Sequence, residues 1–222
     1  MKSHIKSSKV NRAWLNDHVN DTYVKLAKKD GYRARAAYKL KEIDEVLSLI
    51  KAGQMVIDLG STPGAWSQYV SKKLSFGQIN REIKGKIIAL DILPMVPIEG
   101  VVFIQGDFTE LATIALLDQA MEGRLADVVI SDMAPNLSGI SSADASRIEY
   151  LVELAIDFAE TRMNSKGTLV AKVFHGGSYE SLYKRFSQVF SIVKRIKPKA
   201  SRDKSAETFL IGIGLKRSDT HI

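Results

Sequence analysis

The sequence contains no cysteine, which excludes disulfide bonds, thiolate metal sites and every mechanism that uses a cysteine nucleophile. It also lacks any run of about 18 apolar residues, the length that a membrane-spanning helix requires. The N-terminal segment MKSHIKSSKVNRAW has no apolar stretch of the kind found in signal peptides. Its basic composition is compatible with a mitochondrial transit peptide, but Asp17 and Asp21 follow closely. We therefore expect a cytoplasmic protein with no membrane association.

Lysine and arginine are unevenly distributed along the 222 residues. Residues 1–41 contain 11 Lys and Arg against 3 Asp and Glu, and residues 184–222 contain 10 against 3. Residues 42–183 contain 11 against 19, so two basic ends flank an acidic middle within a net charge of +7. Two solvated tails would explain this segregation, but a polyanionic partner would also attract both ends if they share one face. On the second interpretation, the ligand-binding face should carry Arg33, Arg35, Lys194, Arg195, Lys197 and Lys199.

The segment Met55–Trp66, MVIDLGSTPGAW, has the pattern of a ligand-binding turn. A short apolar run with Asp58 near its end predicts a buried strand, and Gly60, Pro63 and Gly64 then interrupt it before a helical segment. Glycines let the backbone approach a ligand closely, and the free N–H groups of a helix N-terminus can face that ligand. In an open α/β sheet, ligands bind at such turns, at the carboxyl ends of the strands.

Strand-like and helical segments alternate along most of the chain. Apolar runs predict strands at Met55–Leu59, Lys86–Leu93, Val101–Gln105, Asp127–Ser131, Gly167–Phe174, Ser191–Lys197 and Thr208–Leu215. Apolar spacing predicts helices at Tyr32–Leu49, Trp66–Leu74, Thr109–Met121, Asp144–Met163 and Tyr179–Phe190, and a short helix within Arg12–Lys29. This alternation predicts an α/β fold with a mostly parallel seven-stranded sheet and helices on both faces. The last strand should be antiparallel, because too few residues precede it for a crossover helix.

Polar residues stand at the carboxyl ends of the predicted strands, where this fold binds ligands. They are Asp58, Asp91, Asp107, Asp132 and Lys172. The glycine turn is not G-x-G-x-x-G, and no P-loop motif is present, so dinucleotides and nucleoside triphosphates are disfavoured. A single acid at the end of the second strand suits a ribose diol, and the acid of a G-D-F turn suits an adenine amino group. Together they suggest an adenosine-type ligand without a pyrophosphate, and S-adenosylmethionine fits that description.

Several motifs, in this order and spacing, resemble the FtsJ-type ribosomal RNA ribose 2′-O-methyltransferases. They are DLGSTPGAWSQYV, LDILPM, QGDF, SDMAPNLSG, YLVELA, KVFHG and SRDKSAE, and the resemblance extends from Trp14 to the last strand. It implies a Rossmann-like methyltransferase fold that uses S-adenosyl-L-methionine to methylate a uridine of large-subunit (23S) rRNA, and so contributes to ribosome assembly. It also implies a basic N-terminal extension over residues 1–30 and a methyltransferase domain over residues 31–222. The expected partner is large-subunit rRNA within the large ribosomal subunit, and the expected state is a monomer.

The resemblance also implies the site residues. The family's catalytic lysine, aspartate, lysine and glutamate match Lys39, Asp132, Lys172 and Glu207. The matching cofactor-binding positions are Asp58, Gly60, Gly64, Trp66, Asp91, Asp107 and Asp132, and no metal is expected. A ribose hydroxyl is a poor nucleophile, so such an enzyme must align it with the methyl donor and remove its proton. Lys172 is the expected base, with Lys39 as a second charge and the two acids orienting the lysines.

Four other kinds of function compete with this prediction. Amino-group methyltransferases carry an asparagine or aspartate followed by two prolines and an aromatic, which Asp132-Met133-Ala134-Pro135 does not match. Methylation of pyrimidine C5 usually requires a cysteine nucleophile, and none is present. A 2′-O-methyltransferase acting on another RNA, such as tRNA, and a non-catalytic RNA-binding protein with the same fold stay open as alternatives.

Overall fold

The computed structural model describes residues 21–75, 82–135, 141–202 and 205–216, and the side chains of 141 and 142 are not included. The helices of these residues are α1 (Thr22–Asp30), α2 (Ala36–Leu47), α3 (Ala65–Leu74), α4 (Leu111–Met121), α5 (Ser141–Arg162) and α6 (Tyr179–Val189). The strands are β1 (Met55–Leu59), β2 (Lys86–Asp91), β3 (Val101–Gln105), β4 (Ala126–Ser131), β5 (Met163–Phe174), β6 (Phe190–Ile196) and β7 (Glu207–Leu215). No helix among the described residues is long and apolar enough to cross a membrane.

The seven strands form one sheet in the order β3-β2-β1-β4-β5-β7-β6. The four neighbouring pairs from β3 to β5 in this order are parallel, whereas β7 runs antiparallel to both β5 and β6. The predicted mostly parallel sheet with an antiparallel last strand is therefore confirmed. The strand order reverses between β1 and β4, and in open α/β sheets the ligand crevice lies at such a reversal.

Helices cover both faces of the sheet, as predicted. Successive strand residues point to opposite sides, so the strands present apolar side chains to both faces. On one face, Val56, Val170 and Phe209 of the strands pack against α2 and α3. On the other face, Ile57 and Ala171 pack in a cluster that also contains residues of α4, α5 and α6. All five residues of β1 are buried, which explains why its sequence is a continuous apolar run rather than an alternation.

Several predicted boundaries differ from the observed ones because side chains end elements locally. Strand β2 ends at Asp91 rather than Leu93, because the Asp91 carboxylate accepts a hydrogen bond from the Leu93 N–H at 2.8 Å and turns the chain. Helix α2 ends at Leu47 rather than Leu49, since Ser48 adopts a left-handed conformation and its N–H bonds the Asp44 carbonyl. These differences shift the ends of elements and leave their order unchanged.

Helix α1 is shorter than the predicted Arg12–Lys29 segment, whose first part lies outside the described residues. Asp21 caps the helix by accepting hydrogen bonds from the Tyr23 and Val24 N–H groups. Its buried Ala27 packs with Tyr38 of α2 and with Ala200. The division into a basic extension (1–30) and a domain (31–222) stays a prediction, and α1 contacts the second of these two parts.

Candidate active site

The connection between β1 and α3 forms a tight loop at the carboxyl edge of the sheet. Gly60 has φ +75°, and a Cβ atom on it would lie 2.8 Å from the Met133 Cα. Only glycine avoids both the backbone strain and this collision. The N–H groups of Gly60 and Ser61 donate to the Leu90 carbonyl at 2.9 and 3.1 Å, which fixes the loop against β2. The glycine turn predicted from the sequence is thus held between β2 and the residues after β4.

A cavity of about 480 Å³ opens beside this loop, at the ends of β1, β2 and β4. The predicted cofactor residues Gly60, Asp91, Asp107 and Asp132 all line it. Apolar lining residues include Leu93, Phe108 and Met133. A cleft that is mostly apolar and contains a few convergent polar groups is the usual form of a small-molecule site.

Asp91 and Asp107 reach the cavity with hydrogen-bonding capacity to spare. Asp91 accepts one hydrogen bond per carboxylate oxygen, from the N–H groups of Thr62 and Leu93, both at 2.8 Å. Asp107 uses Oδ1 for the N–H and hydroxyl of Thr109, and its Oδ2 has no hydrogen bond within the described residues. An ionised carboxylate has about four acceptor sites, so both groups could accept further bonds from a ligand.

Asp58 lies beneath the loop, fully buried and outside the cavity lining. Burial raises the pKa of Asp58 to about 7, against the opposing effect of hydrogen bonds from Ser67, whose hydroxyl donates to Oδ2 at 2.6 Å. The nearby carboxylates of Asp132 and Asp91 raise this pKa further. Oδ1 of Asp58 and Oγ of Ser61 are buried and have no hydrogen-bond partner among the described residues. Neither residue lines the cavity, so these two atoms belong to the support of the loop rather than to its ligand-facing surface.

Trp66 and Gly64 are predicted cofactor residues that do not line the cavity. The Trp66 side chain is 3% exposed, packs on Phe209 at 5.7 Å between ring centroids and donates its Nε1–H to the Ala36 carbonyl at 2.7 Å. The indole is therefore a core group that joins α3 to α2. Trp66 can offer a ligand its backbone N–H, because the first N–H groups of a helix have no intrahelical partner.

Two lysine–carboxylate pairs lie at the carboxyl edge of the sheet, and one of them includes the cavity residue Asp132. The first joins Lys172 to Asp132: Lys172 Nζ donates to the Asp132 carbonyl at 2.7 Å and lies 2.9 Å from Oδ1. The contact with Oδ1 is an ion pair by distance, whereas the directed hydrogen bond goes to the carbonyl. Lys172 is only 8% exposed, so its ammonium group is held in place rather than extended into water.

The second pair joins Lys39 of α2 to Glu207 of β7. Lys39 Nζ lies 2.8 Å from Oε2 and 2.7 Å from Oε1 of Glu207, and Oε1 also accepts the Ser201 hydroxyl at 2.8 Å. In the register of β5 and β7, Lys172 pairs with Phe209 and Phe174 pairs with Glu207. Lys172 and Glu207 are therefore diagonal neighbours on one face of the sheet. The structure brings all four predicted tetrad residues to this face of the carboxyl edge.

A network around Glu207 was absent from the sequence prediction. The carboxylate of Glu42, on the same helix as Lys39, accepts hydrogen bonds from the Lys199 N–H at 2.6 Å and the Ala200 N–H at 3.1 Å. These bonds hold the chain segment that supplies Ser201 to Glu207. The only sequence signal for Glu42 is its position three residues after Lys39, which places it on the same helix face. Ser201 gave no signal of its own.

The prediction of one basic cluster on the cleft face is wrong for Arg195, as its strand register shows, and Arg33 and Arg35 bind groups of the protein itself. The Arg33 guanidinium donates to the carbonyls of Pro63, Val96 and Pro97 at 2.6–2.9 Å. It therefore joins the cofactor loop to the segment after β2. The Arg35 guanidinium likewise binds within the protein: it forms an ion pair with the Asp21 carboxylate and donates a hydrogen bond to the Ala200 carbonyl. Backbone carbonyls accept hydrogen bonds from a guanidinium as phosphates do, and the sequence does not reveal which carbonyls are near.

The cations of β6 also divide between the two faces. Lys194 pairs with Ile211, which belongs to the face of α2 and α3. Arg195 pairs with Leu210, which belongs to the face of α4 to α6. Adjacent strand residues alternate in direction, so these two neighbours cannot share a face.

Comparison with known proteins places these features in a family. The sequence model of the FtsJ-like methyltransferases matches residues 32–215. The ribosomal RNA large subunit methyltransferase E of Albidiferax ferrireducens is 69% identical over 97% of this chain and 99% of its own length. The protein of that name from an Acidovorax strain is 63% identical over 98% and 99%. A crystal structure of a candidate ribosomal RNA methyltransferase from Plasmodium falciparum covers 83% of this chain and 98% of its own, with 28% identity and a TM-score of 0.72.

Proposed function

Because the chain belongs to the FtsJ-like methyltransferase family, we propose that it methylates the ribose 2′-hydroxyl of a uridine in large-subunit (23S) rRNA. The names of its relatives supply the large-subunit rRNA as substrate. S-adenosyl-L-methionine is the proposed donor, and its sulfonium supplies an electrophilic methyl group. The methylation would contribute to ribosome assembly, with the protein acting in the cytoplasm as a monomer on the large ribosomal subunit.

The residues around the cavity fit this donor. Asp91 and Asp107 offer carboxylate acceptors at the ends of adjacent strands, which suits the ribose hydroxyls and the adenine amino group. The loop that contains Gly60 and Gly64 would face the amino-acid end of the donor through Gly60, which lines the cavity, and Asp58 beneath the loop would support it through Ser67. Trp66 would add its backbone N–H at the start of α3.

The observation that carries the proposal is the presence of two lysine–carboxylate pairs on one face of the carboxyl edge, one of which includes the cavity residue Asp132. Lys172 is the proposed general base, because it is the buried lysine whose partner, Asp132, lines the cavity. As a neutral amine, Lys172 would accept the proton of the 2′-hydroxyl at Nζ while the hydroxyl oxygen attacks the methyl group. The ammonium formed would lie 2.9 Å from Asp132 Oδ1, which would stabilise its charge.

Lys39 and Glu207 have a proposed positioning role. Glu207 accepts both Lys39 and Ser201, so the Lys39 ammonium is held in one place on the same face as Lys172. A fixed ammonium can hold the reacting ribose by hydrogen bonding, and alignment of the reactants contributes much of the rate in such reactions. Asp132 would have two roles, because it lines the proposed donor cavity and also orients Lys172.

The proposal is tested by methylating large-subunit rRNA isolated from cells that lack this protein. Purified protein and S-adenosylmethionine should introduce one ribose 2′-O-methyl group at a uridine, which ribose-methylation mapping locates. The matched control is Lys172→Ala, which should bind the donor in calorimetry and transfer methyl groups at least about 10²-fold more slowly. Methylation of tRNA in preference to rRNA would assign another RNA substrate. Binding of RNA without transfer to any RNA would indicate a non-catalytic protein.

A further inference from the structure

A groove separate from the cavity lies between α6 and β6, and we call it the α6–β6 groove. It has a volume of about 210 Å³ and is lined by Tyr179, Glu180, Tyr183, Val193 and Arg195. Tyr179 is the first residue of α6, and the loop before it follows directly from β5, which carries Lys172. The groove therefore opens near the edge of the sheet at which the candidate active site lies.

Tyr179 forms the floor of the groove and has an unpaired hydroxyl. The residue is 6% exposed, and the His175 ring packs against its ring with centroids 4.6 Å apart. Its hydroxyl is buried and has no hydrogen-bond partner among the described residues. The hydroxyl lies close enough to the Arg195 guanidinium to raise the pKa of Arg195, although no hydrogen bond of normal geometry joins them. Arg195 and Tyr179 therefore lie beside each other in the groove.

Three other lining residues, Glu180, Tyr183 and Arg195, have side chains of the kinds that bind nucleotides. Tyr183 is 39% exposed and presents an aromatic ring to solvent, where a base can stack. Arg195 is an exposed guanidinium, the group best matched to a phosphate. Glu180 adds an acceptor for a base N–H. An aromatic surface beside a cation is the usual way in which proteins bind single-stranded nucleic acid without reading its sequence.

The position of the groove fits one continuous RNA strand. Lys172 pairs with Phe209, and Phe209 pairs with Ile196, the neighbour of Arg195 in β6. Two strand spacings, or about 10 Å, therefore separate the two strand positions across the sheet. Arg195 points to the opposite face of the sheet from Lys172. The RNA strand would therefore cross over the carboxyl edge of the sheet between these two residues.

We propose that the α6–β6 groove binds a nucleotide of the RNA substrate that flanks the methylated one. The base stacks on Tyr183 and the phosphate binds Arg195. This assignment rests on the proposed function only in taking RNA as the substrate. The groove has no part in donor binding or in the proton transfer.

The experiment measures binding of a short single-stranded oligouridylate to the wild-type protein and to variants at several salt concentrations. Tyr183→Ala should weaken binding at least about 5-fold, because it removes one stacking surface. Tyr183→Phe keeps the ring and should bind as the wild type does. Arg195→Ala should lower the dependence of log affinity on log salt by about 0.7, the value for one phosphate contact with a single strand. The matched control is Lys184→Ala, which removes an exposed cation of α6 outside the groove.

The outcomes separate this inference from the proposed function. Equal affinity of Tyr183→Ala and the wild type, or no binding of the oligonucleotide by the wild type, overturns the groove as an RNA site. An equal loss of salt dependence in Lys184→Ala and Arg195→Ala also overturns it, because general charge would then explain the binding. If the groove variants behave as expected while the wild type transfers no methyl group to rRNA, the proposed function fails and the groove assignment stands.

Discussion

Replacing Asp58 by asparagine should make the stability of the protein less dependent on pH between 5 and 7. Burial raises the pKa of Asp58 from 3.8 to about 7. In the unfolded chain the carboxyl group loses its proton near its ordinary pKa, whereas the folded protein keeps it until about pH 7. The folded state thus binds one proton more in this interval, and linkage requires stability to fall as pH rises. The contribution is fully present below pH 3.8 and is lost as pH passes about 7.

The size of this effect follows from the pKa difference. Each unit corresponds to about 1.4 kcal/mol, and the folded group is half ionised at pH 7, so the free energy of unfolding should fall by about 2 kcal/mol between pH 5 and pH 7 through this group alone. The asparagine side chain would have the same shape as the protonated aspartic acid, keep an acceptor for the Ser67 hydroxyl and carry no titrating proton. The variant should therefore gain stability relative to the wild type as pH rises.

The assay is urea unfolding of wild type and variant across this pH range, with the difference in unfolding free energy plotted against pH. Asp118→Asn is the matched control, because the hydrogen bond from Arg162 lowers the pKa of Asp118 and its contribution is lost only in more acidic solution. The Asp118 difference should be flat between pH 5 and 7. A flat difference for Asp58→Asn as well would refute the reasoning, since Asp58 would then ionise outside this interval.

Three further predictions concern the site. Lys172→Ala should transfer methyl groups at least about 10²-fold more slowly with near-normal donor affinity. Lys172→Arg should not restore the rate, because a guanidinium keeps its proton. An active Lys172→Arg enzyme would exclude Lys172 as the base. Asp91→Ala should weaken donor binding in calorimetry more than Asp91→Asn does, because asparagine keeps one of the acceptors that fix the Thr62 N–H; equal affinities of all three proteins would exclude Asp91 from the site. Arg33→Ala should weaken donor binding, since it frees the Pro63 carbonyl, and leave the salt dependence of RNA binding unchanged; a reduced salt slope would instead make Arg33 a phosphate ligand.

The sequence determined the order of elements and the location of the site because both depend on local patterns. Apolar runs and helical spacing predicted all seven strands and the helices between them, with errors of a few residues at their ends. The separation of the last two strands determined that they pair antiparallel. Gly60 marked the close approach to Met133, and acids at strand ends converged because parallel strands end at one edge.

The contacts of each side chain depend on the tertiary structure. Arg33 and Lys194 are both cations in basic segments of the sequence. Arg33 nevertheless donates to backbone carbonyls, whereas Lys194 is exposed on the edge strand. Trp66 lies in the cofactor motif, but its indole packs in the core. The raised pKa of Asp58 requires burial, which depends on residues far along the chain. Sequence patterns record the local periodicity of the backbone, whereas the charge, burial and partners of a side chain depend on segments that meet only when the chain folds.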